Sequence, residues 1–137
     1  MKICILLIFL GICVRRSEAL GACDVIEAAR IAMLDGFKGY SAENYACLAN
    51  SASQYNTSFQ GSPSEYGMFQ ISNFWCNSKS GENNPCGISC AKLMDSNISD
   101  DIQCVKRIVQ DPKGLDSWDP WVNSCKGRDL IGFICKT

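Results

Sequence analysis

Ten cysteines in 137 residues, with no histidine anywhere, constrain this chain more than any other feature. Two of them, Cys4 and Cys13, fall within a leader-like start: Lys2, the apolar run Ile3 to Val14, then Ser17-Glu18-Ala19. A basic start, a short apolar stretch and small residues just before a cut form the pattern of a secretory signal peptide. The run is too short to span a bilayer comfortably. Residues 1–19 are therefore read as a signal peptide cut after Ala19, and residues 20–137 as a single domain.

Eight cysteines remain: Cys23, Cys47, Cys76, Cys86, Cys90, Cys104, Cys125 and Cys135. An even count in a small secreted domain implies four disulfides, which sequence alone allows to pair in about a hundred ways. Zinc is disfavoured because there is no histidine and no paired C-x-x-C. Loss of Lys2, Arg15, Arg16 and Glu18 lowers Lys+Arg from 13 to 10 and Asp+Glu from 14 to 13, which leaves a charge of −3. That balance argues against nucleic acid and acidic lipid as partners. The shortness of the apolar run predicts no membrane span, and a monomer is expected.

Helical periodicity runs from Val25 to Leu34 and again from Ser41, with Tyr45, Leu48, Ala49 and Ala52 on one face. Residues 56–89 are rich in Asn, Ser, Gly and Pro, with a short strand-like run from Tyr66 to Ile71. Helical pattern returns over residues 99–110 and stops at Asp111-Pro112-Lys113-Gly114. Helices flanking a small β-rich insert place the chain in the α+β class.

Residues 92–101, K-L-M-D-S-N-I-S-D-D, gather Asp95, Asp100 and Asp101 around a short loop. Calcium accepts carboxylates and backbone carbonyls mixed in one flexible shell, and such a loop can supply one. The plainer alternative is an acidic helix start, with Ser99 as N-cap and the aspartates facing the helix dipole. Two sequons also occur, Asn56-Thr57-Ser58 and Asn97-Ile98-Ser99. The first is the better glycosylation candidate. A glycan on the second would hinder folding of the acidic loop, and either site can also stay unmodified.

The motifs G-F-K-G-Y-S-x-x-N-Y-x-C-L-A (36–49), Y-N-T (55–57) and E-Y-G-M-F-Q-I-S (65–72) carry a resemblance. So do C-G-I-S-C (86–90), C-V-K-R-I-V-Q-D-P-K-G-L (104–115) and W-D-P-W (118–121). Through them the mature chain resembles the C-type lysozyme and α-lactalbumin superfamily, glycoside hydrolase family 22. The resemblance implies a lysozyme-like fold: a helical domain, a small β-sheet subdomain, and the pairs Cys23–Cys135, Cys47–Cys125, Cys76–Cys90 and Cys86–Cys104. It also implies a calcium elbow, with side-chain oxygens from Asp95, Asp100 and Asp101 and backbone carbonyls from Lys92 and Asn97.

The catalytic positions depart from the family pattern. Retaining glycosidases place two carboxyl groups across the scissile bond. The family's general acid sits five residues after the cysteine of C-L-A, and here that residue is Ala52. The second carboxylate position holds Glu65, one methylene longer than the aspartate of active members. The loop between Thr57 and Glu65 is short, and the cleft asparagine is replaced by Ser72. Gln70, Trp75 and Trp118 remain as saccharide-binding candidates, although tryptophan near disulfides is commonly core.

The expected function is therefore a secreted calcium-binding lysozyme-like protein without catalysis. Its partner would be an oligosaccharide or a secreted or cell-surface protein. Two alternatives are a lysozyme cutting β-1,4 bonds of peptidoglycan, and an α-lactalbumin-like modifier of a galactosyltransferase. For the first, the nearest acid before Ala52 is Glu43, about 13 Å of helical rise away. For the second, the family's docking positions hold Asn50-Ser51, Gly132 and Phe133.

Overall fold

The computed structural model describes residues 3–7, 12–16, 19–76 and 84–135. Ser17 and Glu18 of the expected cleavage motif lie outside the described residues. Within the leader-like segment, strand β1 (Ile3–Leu7) pairs antiparallel with β2 (Ile12–Arg16), Ile5 opposite Val14. The main body begins with helix α1 (Ala22–Ile31), and α2 spans Ala42–Ser53. A hairpin of β3 (Glu65–Tyr66) and β4 (Ile71–Ser72) follows. Helices α3 (Ser99–Val109) and α4 (Asp119–Ser124) complete the helical part. This is a lysozyme-like α+β architecture.

Each helix buries the stripe its apolar spacing defines. Val25, Ile26 and Ala29 of α1, Tyr45, Leu48 and Ala49 of α2, and Ile102, Val105, Ile108 and Val109 of α3 form one core. Two helix C-termini are closed by lysines from distant segments, whereas the α1 start is capped locally by Asp24, which accepts the Gly21 N–H at 2.8 Å. Lys106 Nζ donates to Ala32 O at 2.8 Å beyond α1, and Lys38 Nζ donates to Gln110 O and Asp111 O beyond α3. Cations at helix C-termini satisfy orphan carbonyls and oppose the dipole's negative end. Asp35 Oδ1 accepts the Ala42 N–H at the start of α2 at 2.8 Å.

Four disulfides staple the body: Cys23–Cys135, Cys47–Cys125, Cys76–Cys90 and Cys86–Cys104. The outer two close loops of 112 and 78 residues. Bridges over such spans restrict the unfolded chain most in the loop-entropy account.

Three expectations from sequence need correction. Helix α1 stops at Ile31 instead of reaching Leu34, because Met33 turns to φ 62°. The run Tyr66 to Ile71 is not one strand: the chain reverses between Tyr66 and Ile71 through Gly67 at φ 79° and Gln70 at φ 48°. Its apolar Met68 and Phe69 are fully buried at the tip of that reversal, where core packing overrides strand alternation. Finally, Ser99 is the first residue of α3 instead of its N-cap. The capping oxygen belongs to Asn97, which accepts from the Ser99 N–H at 3.1 Å and from Ser99 Oγ.

The hairpin is tied to the helices through its reversal. Trp118 Nε1 donates to Phe69 O at 2.8 Å, and Ser53 Oγ donates to Met68 O at 2.7 Å. These two bonds, from opposite sides, fix the small β subdomain against α2 and against the segment before α4.

Candidate functional site

Between α2 and the β loop lies a groove of about 550 Å³, lined by Ser51, Ala52, Ser53, Gln54, Asn56 and Phe59. None of these six side chains carries a carboxyl group. Ala52 is partly exposed, so the position that would need a proton donor presents a methyl group. Glu65 is not on this groove. It lines a neighbouring depression of about 160 Å³ with Gln70, Ser72, Trp75, Trp118 and Asp119. Its carboxylate is held by Ser62, whose Oγ donates to Oε1 at 2.9 Å.

The three saccharide-binding candidates all reach that depression, each with other work to do. Gln70 is nearly buried, and its amide is fully engaged. Oε1 accepts the Gly61 N–H at 2.8 Å, while Nε2 donates to Phe59 O and Gly67 O, each at 2.8 Å. Gln70 therefore holds the β loop together. Trp118 is 6% exposed, and its indole N–H goes to the Phe69 carbonyl, so little of it is open to the depression. Trp75 is half-buried, edge-on to Phe74 at 5.1 Å, with the Arg107 guanidinium 5.6 Å from its ring centroid. Of the three, Trp75 keeps the most free aromatic surface.

Asp119 joins Glu65 in this depression, although in the sequence it stands out only as part of W-D-P-W. The signal was its place after Trp118, but nothing local says which way it faces. Glu43 lies elsewhere: it pairs with Arg30 at 3.8 Å and lines a separate surface hollow with Asp129, Leu130 and Ile134. The helical rise that separated Glu43 from Ala52 in sequence holds in space.

The acidic loop forms a second centre. One carboxylate oxygen from each of Asp95, Asp100 and Asp101 lies within 4.8 Å of the others. Asp95 is exposed, Asp100 half-buried and Asp101 fully buried. Both Asp101 carboxyl oxygens are without a hydrogen-bond donor among the described residues. Burial, then the hydrogen bond and charge of Asp100, then the charge of Asp95, push the Asp101 carboxyl up from 3.8 to about 9. As an ion it has no protein donor to replace water, a costly state in the interior. A proton shared with Asp100, or a cation, resolves that cost. Three carboxylate oxygens are hard donors, which suit a hard cation rather than a soft-ligand metal.

Gly67 makes this cluster dependent on the β loop, which sequence reasoning missed. A Cβ on Gly67 would lie 1.9 Å from Leu93 O and 3.3 Å from Asp101 Oδ2. The reversal thus presses bare backbone against the acidic loop. Cys86–Cys104 and Cys76–Cys90 brace the same region from α3 and the preceding turn.

A family model described as the C-type lysozyme/alpha-lactalbumin family matches residues 18–135. The chain is 43% identical to "Lysozyme C, milk isozyme" of Equus caballus over 119 residues, 82% of this chain and 92% of that protein. It is equally similar, at 43% over 119 residues and the same coverage, to the milk isozyme of Canis lupus familiaris. Identity to "Lysozyme C" of Allenopithecus nigroviridis is 38% over 120 residues, 82% of this chain and 81% of that protein. No helix of the described residues is long and apolar enough to cross a membrane.

Proposed function

The chain belongs to the C-type lysozyme/alpha-lactalbumin family, and on that premise we propose that it is a secreted, calcium-stabilised member that binds without hydrolysing. One observation carries the loss of hydrolysis: the groove at Ala52 has no carboxyl group on its walls, and Glu65 stands in a separate depression. General-acid protonation of the leaving oxygen needs a carboxylic acid within hydrogen-bond reach. Glu65 shares its depression with Asp119, but neither carboxyl lines the groove at Ala52, where a retaining mechanism would need one of its two. Four disulfides and the leader-like start support export to an oxidising compartment. The bound partner on this reading is an oligosaccharide or a secreted or cell-surface protein met at the depression beside Trp75.

The mature protein is accordingly expected to clear peptidoglycan suspensions about 10²–10⁴-fold more slowly than an active lysozyme, the usual loss when general-acid assistance is missing. Ala52→Glu alone should restore little, because Glu65 stays bound to Ser62 outside the groove. Turbidity loss of bacterial walls measures both. Clearance at the rate of an active lysozyme would establish the hydrolase reading instead, which the names of the relatives favour.

Calcium is the resident ion on this reading, held by the carboxylates of Asp95, Asp100 and Asp101 with carbonyls of Lys92 and Asn97. The buried, donor-less carboxyl of Asp101 supports it. The ion supplies the positive charge that lets three aspartates share one small volume. Binding must displace the Asp101 proton wherever the pH lies below about 9. Apparent calcium affinity should therefore rise with pH, about tenfold per unit while one proton is released. Calorimetric titrations in buffers of different ionisation enthalpy read that proton directly. An affinity flat from mildly acidic to alkaline pH would contradict it.

A further inference from the structure

We propose that Asn56 is an N-glycan acceptor and that the sugar attached to it seats in the groove at Ala52, so that the cleft is filled from its own chain. The sequon Asn56-Thr57-Ser58 comes just after α2, beyond Gln54 and Tyr55, and Asn56 is exposed. Asn56 Oδ1 accepts from both the N–H and the Oγ of Ser58, each at 3.0 Å. A backbone N–H can only donate, so these bonds fix the carboxamide with its oxygen toward Ser58. Nδ2, the atom through which an N-glycan is joined, is left without a hydrogen-bond partner among the described residues.

Asn56 is also a wall of the groove. The groove's volume of about 550 Å³ falls within the range of ligand-sized pockets. Phe59, 37% exposed, offers aromatic surface, while Gln54 offers hydrogen-bonding groups. A pyranose has this same division between an apolar face and a polar edge. Ala52 contributes only a methyl group, which leaves room that a longer side chain would take. A sugar tethered to the wall pays little of the translational cost that a free one would, so weak contacts suffice to hold it.

Attachment is a glycosyl transfer from a lipid-linked sugar pyrophosphate. The bond from Nδ2 to the anomeric carbon forms, and Nδ2 gives up one proton. The bond from that carbon to the pyrophosphate oxygen breaks, and the lipid pyrophosphate leaves with the electron pair. The inference rests on passage through a secretory compartment, as in the reading above. A heterologous leader in the test separates it from the fate of the protein's own leader.

The test is to secrete residues 20–137 from a eukaryotic host that leaves high-mannose glycans. Peptide mapping then reads Asn56 and Asn97 separately, and endoglycosidase trimming is timed on the native and on the denatured glycoprotein. Expected are a glycan on Asn56 that disappears in Asn56→Gln, and native trimming about tenfold slower than denatured, as when a seated sugar must first leave at about 1.4 kcal/mol. Phe59→Ala should bring the native rate up toward the denatured one. Secreted protein with Asn56 unmodified overturns the proposal. Native trimming as fast as denatured, or slow trimming indifferent to Phe59→Ala, overturns the seat in the groove.

Discussion

Removing calcium is expected to lower the melting temperature of the mature protein by about 10–20 °C relative to millimolar calcium. A ligand that binds only the native state stabilises it by RT ln(1 + [L]/Kd), about 4 kcal/mol at a thousand times Kd. The acidic cluster makes the metal-free protein pay the opposite cost. Asp101 is raised from 3.8 to about 9 in the fold. An acid raised by folding binds its proton more tightly in the native state, so its contribution falls as pH rises between those two values. Without calcium, stability should therefore decline from mildly acidic toward alkaline pH through this group. With calcium, the ion's charge replaces the proton and the decline is suppressed. Asp101→Asn keeps the shape, removes the charge, and should abolish the calcium-dependent shift while leaving the metal-free melt unchanged or higher. Melting curves on protein first stripped of metal decide the matter: superimposed curves with calcium and with chelator would refute the calcium reading.

Gly67→Ala is expected to be among the most damaging single methyl additions in the molecule, costing about 3 kcal/mol or more. Two terms add. Gly67 sits at φ 79°, where an L side chain is strained by about 1 kcal/mol. The new methyl would also lie 1.9 Å from the Leu93 carbonyl oxygen, a backbone atom that cannot rotate away. Gly36 provides the internal control. It has φ 87° but nothing within 4 Å of a Cβ, so Gly36→Ala should show the strain term alone. Because the displaced backbone adjoins Lys92 and faces Asp101, Gly67→Ala should weaken calcium binding as well, whereas Gly36→Ala should not. Thermal melts and calcium titrations of the two variants test this. Equal losses of stability would mean that the β loop does not press on the acidic loop as described.

The sequence by itself determined the class and most of the framework. Four disulfides follow from the even count of cysteines once Cys4 and Cys13 are set apart, and three of the helices from apolar spacing that each buries as one stripe. That position 52 carries a methyl group is also a one-dimensional fact, since no fold can make Ala52 donate a proton. Clustering of Asp95, Asp100 and Asp101 was legible for a similar reason: six residues of loop and first helical turn cannot take them far apart.

Tertiary structure alone decided what depends on contacts between distant segments. The reversal at residues 67–70 looked like a strand because Met68 and Phe69 are apolar, yet they are drawn into a core that helices α2 and α3 build. The amide of Gln70, a sugar-binding candidate from sequence, has its hydrogen bonds taken by the backbone of Phe59, Gly61 and Gly67, the first two from outside its own turn. That Glu65 lines a different hollow from Ala52 is likewise a matter of tertiary packing, in which the hairpin is tied to Ser53 and Trp118. Local spacing encodes burial and helicity because their periods are local. Which oxygen, ring or carboxylate ends up free is fixed only when partners from far along the chain have claimed the others.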